Sequence, residues 1–94
     1  MKIYELADTM GRALVIKLRY CVHQDVERWY CYFEGAEVKE GAALLGGFGD
    51  GSTPREAVMS YIDDIKGQTL VFDARADNRC EHTIPKSLTA KEIS

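Results

Sequence analysis

The chain is predicted to be an α+β protein, one antiparallel sheet in the order β-β-β-α-β-β with a single helix packed on one face. Three observations predict it. Residues 12–22 alternate in character, with Leu14, Ile16, Leu18, Tyr20 and Val22 on one side and Lys17 and Arg19 on the other, the period of a half-buried strand. Residues 54–66 place Ala57, Val58, Tyr61, Ile62 and Ile65 at helical spacing, a single apolar stripe. The polar connection VHQDVER that follows the first strand is too short for a parallel crossover, so the next strand returns antiparallel.

Taken in order, residues 1–10 (MKIYELADTM) form an extra strand or arm, and residues 12–22 the first strand. RWYCYF, residues 28–33, is rich in the aromatic residues that suit a pleated surface. In the segment EGAEVKEGAALLGGFG, Val38 either continues that strand or lies in a turn. Residues 44–48 make a third strand, weakened or bent by Gly46, Gly47 and Gly49. Thr53-Pro54-Arg55-Glu56 has the form of a capping box: Thr53 accepts from the amide of Glu56, and Glu56 reaches back to Thr53. Pro54 falls at the first helical position, and Gly67 supplies a left-handed stop. QTLVFDA is a strand with Leu70 and Phe72 on one face and Val71 on the other. A turn at residues 76–79 then returns the chain through CEHTI to Pro85. Residues 86–94 are a polar tail that frays, and residues 1–94 form one domain.

Composition limits the function classes. A formal net charge of −3 argues against general binding to a phosphate backbone, which needs clustered Lys and Arg. No apolar run reaches the roughly 18–20 residues of a membrane span. Glu5 and Asp8 interrupt any signal-peptide core. The expected location is the cytoplasm. Cys21, Cys31 and Cys80 are odd in number and lack C-x-x-C spacing, which favours reduced thiols over a disulfide framework.

Three sets of residues are candidates for chemistry. Gly46, Gly47, Gly49 and Gly51 precede the helix, and the pattern Gly46-x-x-x-x-Gly51-Ser52-Thr53 approaches a phosphate-binding loop. Its lysine is replaced by Ser52, Asp50 adds negative charge, and the parallel β-α-β context is missing. Gly49, Gly51, Ser52 and Thr53 would line a nucleotide or small-ligand site, but a tight turn into a capped helix explains them better. Cys21 and His23, with Cys80 and His82, would present four zinc-type ligands if the first and last strands were neighbours. Their spacing matches no usual structural zinc site, so neither metal nor cofactor is expected.

The third set is Trp29, Tyr30, Tyr32 and Phe33. In a strand Trp29 and Phe33 face one way and Tyr30 and Tyr32 the other, and one helix covers only one of those faces. The other face is exposed, covered by the N-terminal segment, or buried against another molecule. Aromatic residues placed so are frequent interface anchors. They point to a homodimer joined through the sheet, by its open face or by an edge strand, since two-fold dimers are the commonest oligomers. No nucleophile and base are paired by anything beyond proximity in sequence, so the chain reads as non-enzymatic.

The stretch from Gly49 to Val71 resembles a group of short phage and prophage open reading frames of unassigned function. The positions that carry the likeness are Gly49, Gly51, Thr53, Glu56, Ala57, Tyr61, Ile65, Gly67, Thr69, Leu70 and Val71. More distantly, Gly49, Asp50, Thr53, Pro54, Glu56 and Ala57 are similar to the strand-to-helix passage of the HicB-like antitoxin domain. These likenesses imply a HicB-like fold in a bacterial host. They also imply a non-catalytic module that binds and blocks a host factor or a small toxin ribonuclease, often as an oligomer. The DNA-binding segment usual after that domain is not found here, which puts operon repression in doubt.

Overall fold

The computed structural model describes residues 1–22 and 24–90, with Cys21 described through its backbone alone. Among these residues the chain is α+β, with two helices and seven strands in two antiparallel sheets. The first sheet runs β1 (Leu14–Cys21), β2 (Val26–Phe33), β5 (Gly49–Gly51). The second runs β4 (Ala43–Leu45), β3 (Ala36–Glu40), β6 (Thr69–Phe72), β7 (Cys80–Thr83). The expected single sheet is thus divided. Of the expected third strand at 44–48 only Leu44 and Leu45 are strand, in β4; residues 46–48 connect it to β5, which pairs with β2 while β4 pairs with β3.

Residues 1–10 are neither strand nor arm. They contain helix α1 (Ile3–Met10), whose Ile3, Leu6 and Met10 enter the core, and Gly11 closes it with φ 65 and a Schellman-type return to Ala7 and Asp8. Helix α2 (Pro54–Ile65) buries the whole expected stripe of Ala57, Val58, Tyr61, Ile62 and Ile65. Gly67 is left-handed as expected, at φ 76. Residues 76–79 turn into β7, which pairs with β6 from Thr69↔Thr83 to Phe72↔Cys80.

The core joins α1, α2 and both sheets through Phe33, Cys31, Leu70, Phe72, Ile84 and Leu88. Leu14 and Ile16 pack at its margin, as expected for strand residues beneath the helix. Leu18 does not: it is 45% exposed, and Tyr20 is 57% exposed, because the far half of the β1–β2 hairpin extends beyond the cover of α2. Leu88 is buried and Thr89 bridges to Lys2, so the part of the tail up to Ala90 is packed and not frayed. Residues 91–94 lie outside the described residues.

Candidate functional site

The glycine stretch serves packing. Gly49 and Gly51 alternate toward α2, opposite Cys31 and Trp29 of β2. A Cβ built on Gly49 would lie 2.2 Å from the Ala57 carbonyl oxygen and 2.3 Å from the Tyr61 nitrogen. One on Gly51 would lie 2.4 Å from the Glu56 Cβ. Helix and strand backbones therefore meet directly, which only glycine permits. Both glycines are buried, so they offer no cradle. At the helix start the Thr53 hydroxyl accepts from the Glu56 amide at 3.1 Å. The Glu56 carboxylate accepts from the Ser52 amide at 2.8 Å and from the Ser52 hydroxyl. Its principal bonds are thus one residue earlier than the expected return to Thr53. These bonds, the hydroxyl first, hold the Glu56 carboxyl below its ordinary range. An internal carboxylate occupies the place where a ligand anion would sit.

The strands that carry the cysteine and histidine candidates belong to different sheets. β1 lies in the first sheet and β7 in the second, so the neighbouring strands that a four-ligand site required do not exist. His82 packs edge-on against Phe72 with ring centroids 5.9 Å apart, and Cys80 is exposed. His23 and the side chain of Cys21 lie outside the described residues. Among the described residues no group of three or more His, Cys, Asp or Glu side chains gathers as a metal site. Cys31 is buried in the core, and burial pushes its thiol up to about 12, the opposite of an activated nucleophile.

The aromatic strand divides as its alternation requires. Phe33 is buried and Trp29 packs at the core margin, beneath α2. Tyr30 and Tyr32, both half-buried, lie on the other face of the first sheet, Tyr32 also packing against the core margin. They flank a groove of about 580 Å³ lined also by Lys17, Arg19, Tyr20, Val22, Gly47 and Phe48. Phe48 was not among the expected interface residues. It projects from the β4–β5 connection, 56% exposed, and meets Tyr30 edge-on at 5.0 Å between ring centroids. A loop residue's return to a distant strand leaves no periodic signal in sequence.

The electrostatics of this face differ from those of the chain. Directly paired residues of β1 and β2 place Lys17 beside Tyr30 and Arg19 beside Arg28. The Lys17 ammonium sits 5.4 Å from the Tyr32 ring centroid, in cation–π range. Arg28 is neutralised by Asp50 of β5 at 3.0 Å. Among the described residues Arg19 and Lys17 form no ion pair and no carboxylate lines the groove. The face is cationic and aromatic on a chain of formal charge −3.

No protein-family model matches the chain, and neither a curated protein nor a solved structure gives a significant match. What the geometry defines is a small α+β protein of two antiparallel sheets with one open, cationic, aromatic sheet face. Among the described residues no helix is long and apolar enough to cross a membrane.

Proposed function

We propose that this chain is a non-enzymatic protein-binding module, whose docking surface is the outer face of β1–β2–β5. One observation carries the reading: Tyr30, Tyr32 and Phe48 stand beside Lys17 and Arg19 in an open groove without a lining carboxylate. Aromatic rings offer large contact area at low entropic cost, and unpaired cations steer and orient an acidic partner. The HicB-like likeness favours the same class, a module that acts by occupying another protein. A ribonuclease cleft that must attract RNA is itself cationic, so a toxin blocked by this face would have to offer an acidic surface elsewhere. The sheet-joined homodimer fits less well, because a two-fold axis through the face sets Lys17 and Arg19 of one copy against those of the other. A small ligand at Gly49–Thr53 is disfavoured by the buried glycines and the Glu56 carboxylate.

Fluorescence anisotropy of a labelled oligoglutamate peptide tests the reading, with a single-stranded oligothymidylate of equal charge as the counter-probe. The peptide is expected to bind, and Lys17→Glu with Arg19→Glu to abolish binding. Preferential binding of the oligonucleotide would make the face a stacking platform for single strands and overturn the proposal.

A further inference from the structure

The outer face ends at a strand edge with which no further strand pairs among the described residues. β1 pairs with β2 alone and stands at the margin of its sheet over eight residues, without proline. Which of its backbone groups point outward follows from two hydrogen bonds. The Glu34 amide donates to the Ala13 carbonyl at 3.0 Å, and the Phe33 amide donates away from β1, to the Tyr61 hydroxyl. In an antiparallel ladder bonded and non-bonded pairs alternate. Since Ala13 bonds to β2, so do Val15, Lys17 and Arg19, which leaves the N–H and C=O groups of Leu14, Ile16, Leu18 and Tyr20 facing outward along the free edge.

The side chains along that edge alternate to match. Lys17 and Arg19 rise on the outer face beside the groove, while Leu18, paired with Trp29, lies on the opposite face, exposed beyond the end of α2. A strand laid against β1 would set its own alternate residues directly beside these, same face to same face. Beside Lys17 and Arg19 the complementary residues are carboxylates, two positions apart. Beside Leu18 the complementary residue is apolar. A second copy of β1 fits worse, because two-fold pairing centred on Leu18 sets Lys17 against Arg19. Charged edge residues commonly exclude such self-pairing. The same charges select a partner of opposite sign.

We infer that β1 accepts an extended segment of an acidic protein partner by strand addition, in which acidic and apolar residues alternate. This inference rests on the proposed role of the outer face and adds how the partner binds and in what pattern.

The test uses three labelled peptides with the full chain: one alternating glutamate and valine, one with the same residues in two blocks, and the alternating one with every second backbone nitrogen methylated so as to remove the donors facing β1. The alternating peptide is expected to bind about tenfold or more tighter than the block peptide, and methylation to remove that advantage, because main-chain hydrogen bonds supply the affinity of strand addition. Methylating the other set of nitrogens, which point away from β1, is expected to leave binding unchanged, a control that involves no change to the protein. If alternating and block peptides bind alike and Lys17→Glu weakens both, the face binds acidic partners but strand addition is wrong. If no acidic peptide binds, the reading of the face fails and this inference fails with it.

Discussion

The Tyr61 hydroxyl accepts a hydrogen bond from the backbone N–H of Phe33 at 3.0 Å. β5 pairs with β2 only as far as Gly49↔Cys31, so the helix supplies an acceptor where the strand has run out. A buried amide without a partner costs its full desolvation. Tyr61→Phe preserves the ring and its packing on Phe33 but removes that acceptor. It is expected to lower the unfolding free energy by about 1–3 kcal/mol in urea titration. A change within error would mean that water or another group takes the place of the hydroxyl.

Burial governs the alkaline limit. It pushes the Cys31 thiol from 9.0 up to about 12 and the Tyr61 phenol from 10.0 up to about 12. Both groups keep their protons in the folded chain at pH values where the unfolded chain releases them. Their contribution is therefore full below the ordinary thiol value and is lost as pH rises from there toward about 12. Urea midpoints followed by Trp29 fluorescence are expected to hold level at neutral pH and fall across that window. Cys31→Ala is expected to delay the onset of the pH-dependent fall to the phenol's range, even though it lowers the midpoint overall.

At the start of α2 the sign reverses. The Glu56 carboxyl is held below its ordinary range, so its contribution is present above that range and lost as pH falls through its lowered value. Glu56→Gln is expected to flatten this acid dependence. Thr53→Ala removes the cap and is expected to cost about 1 kcal/mol at neutral pH, measured by thermal or chemical unfolding.

The glycines before α2 separate into two kinds under substitution. Gly49→Ala drives a methyl group into the backbone of Ala57 and Tyr61, and neither can yield without moving the helix. Its expected cost is about 3 kcal/mol or more. Gly47→Ala meets nothing within 4 Å, and its expected effect stays within about 0.5 kcal/mol. Equal effects at both positions would remove the case for a glycine-mediated contact between helix and strand.

Association state gives a further check on the cationic face. Like charges on Lys17 and Arg19 oppose face-to-face pairing of two copies, and salt screens that opposition. Light scattering at low ionic strength is expected to give a mass near 10.6 kDa, with any self-association appearing only as salt is raised. A dimer at low salt that Tyr30→Glu or Tyr32→Glu dissociates would restore the sheet-joined homodimer.

Elements with local signals were legible in the sequence. The stripe and cap of α2, the alternation of β1 and the opposite facing of Trp29 and Tyr30 all lie within a few residues of one another, so periodicity reports them. Helix α1 was missed although Ile3, Leu6 and Met10 have helical spacing. It is eight residues long, and Lys2 at its N-cap makes no side-chain cap bond. The division into two sheets shows in β5 pairing with β2, where Gly49 and Gly51 lie directly against the backbone of α2. That closeness belongs to tertiary packing. The groove shared the same difficulty, since Phe48 reaches Tyr30 across a pairing that the sequence does not declare.

The bridge between Lys2 and Thr89 has a consequence for engineering. Ile3 donates to the Thr89 carbonyl at 3.0 Å, and Thr89 donates to the Met1 carbonyl at 2.9 Å. Positions almost ninety residues apart in the chain thus run side by side, at the roughly 5 Å spacing of paired strands. A short splice across that gap would close the backbone into a ring, and new ends opened at the Gly46–Gly47 bend would yield a circular permutant with its sheets and helices uncut. The same adjacency lets residues 1–90 be grafted into a surface loop of a carrier protein without prying that loop apart.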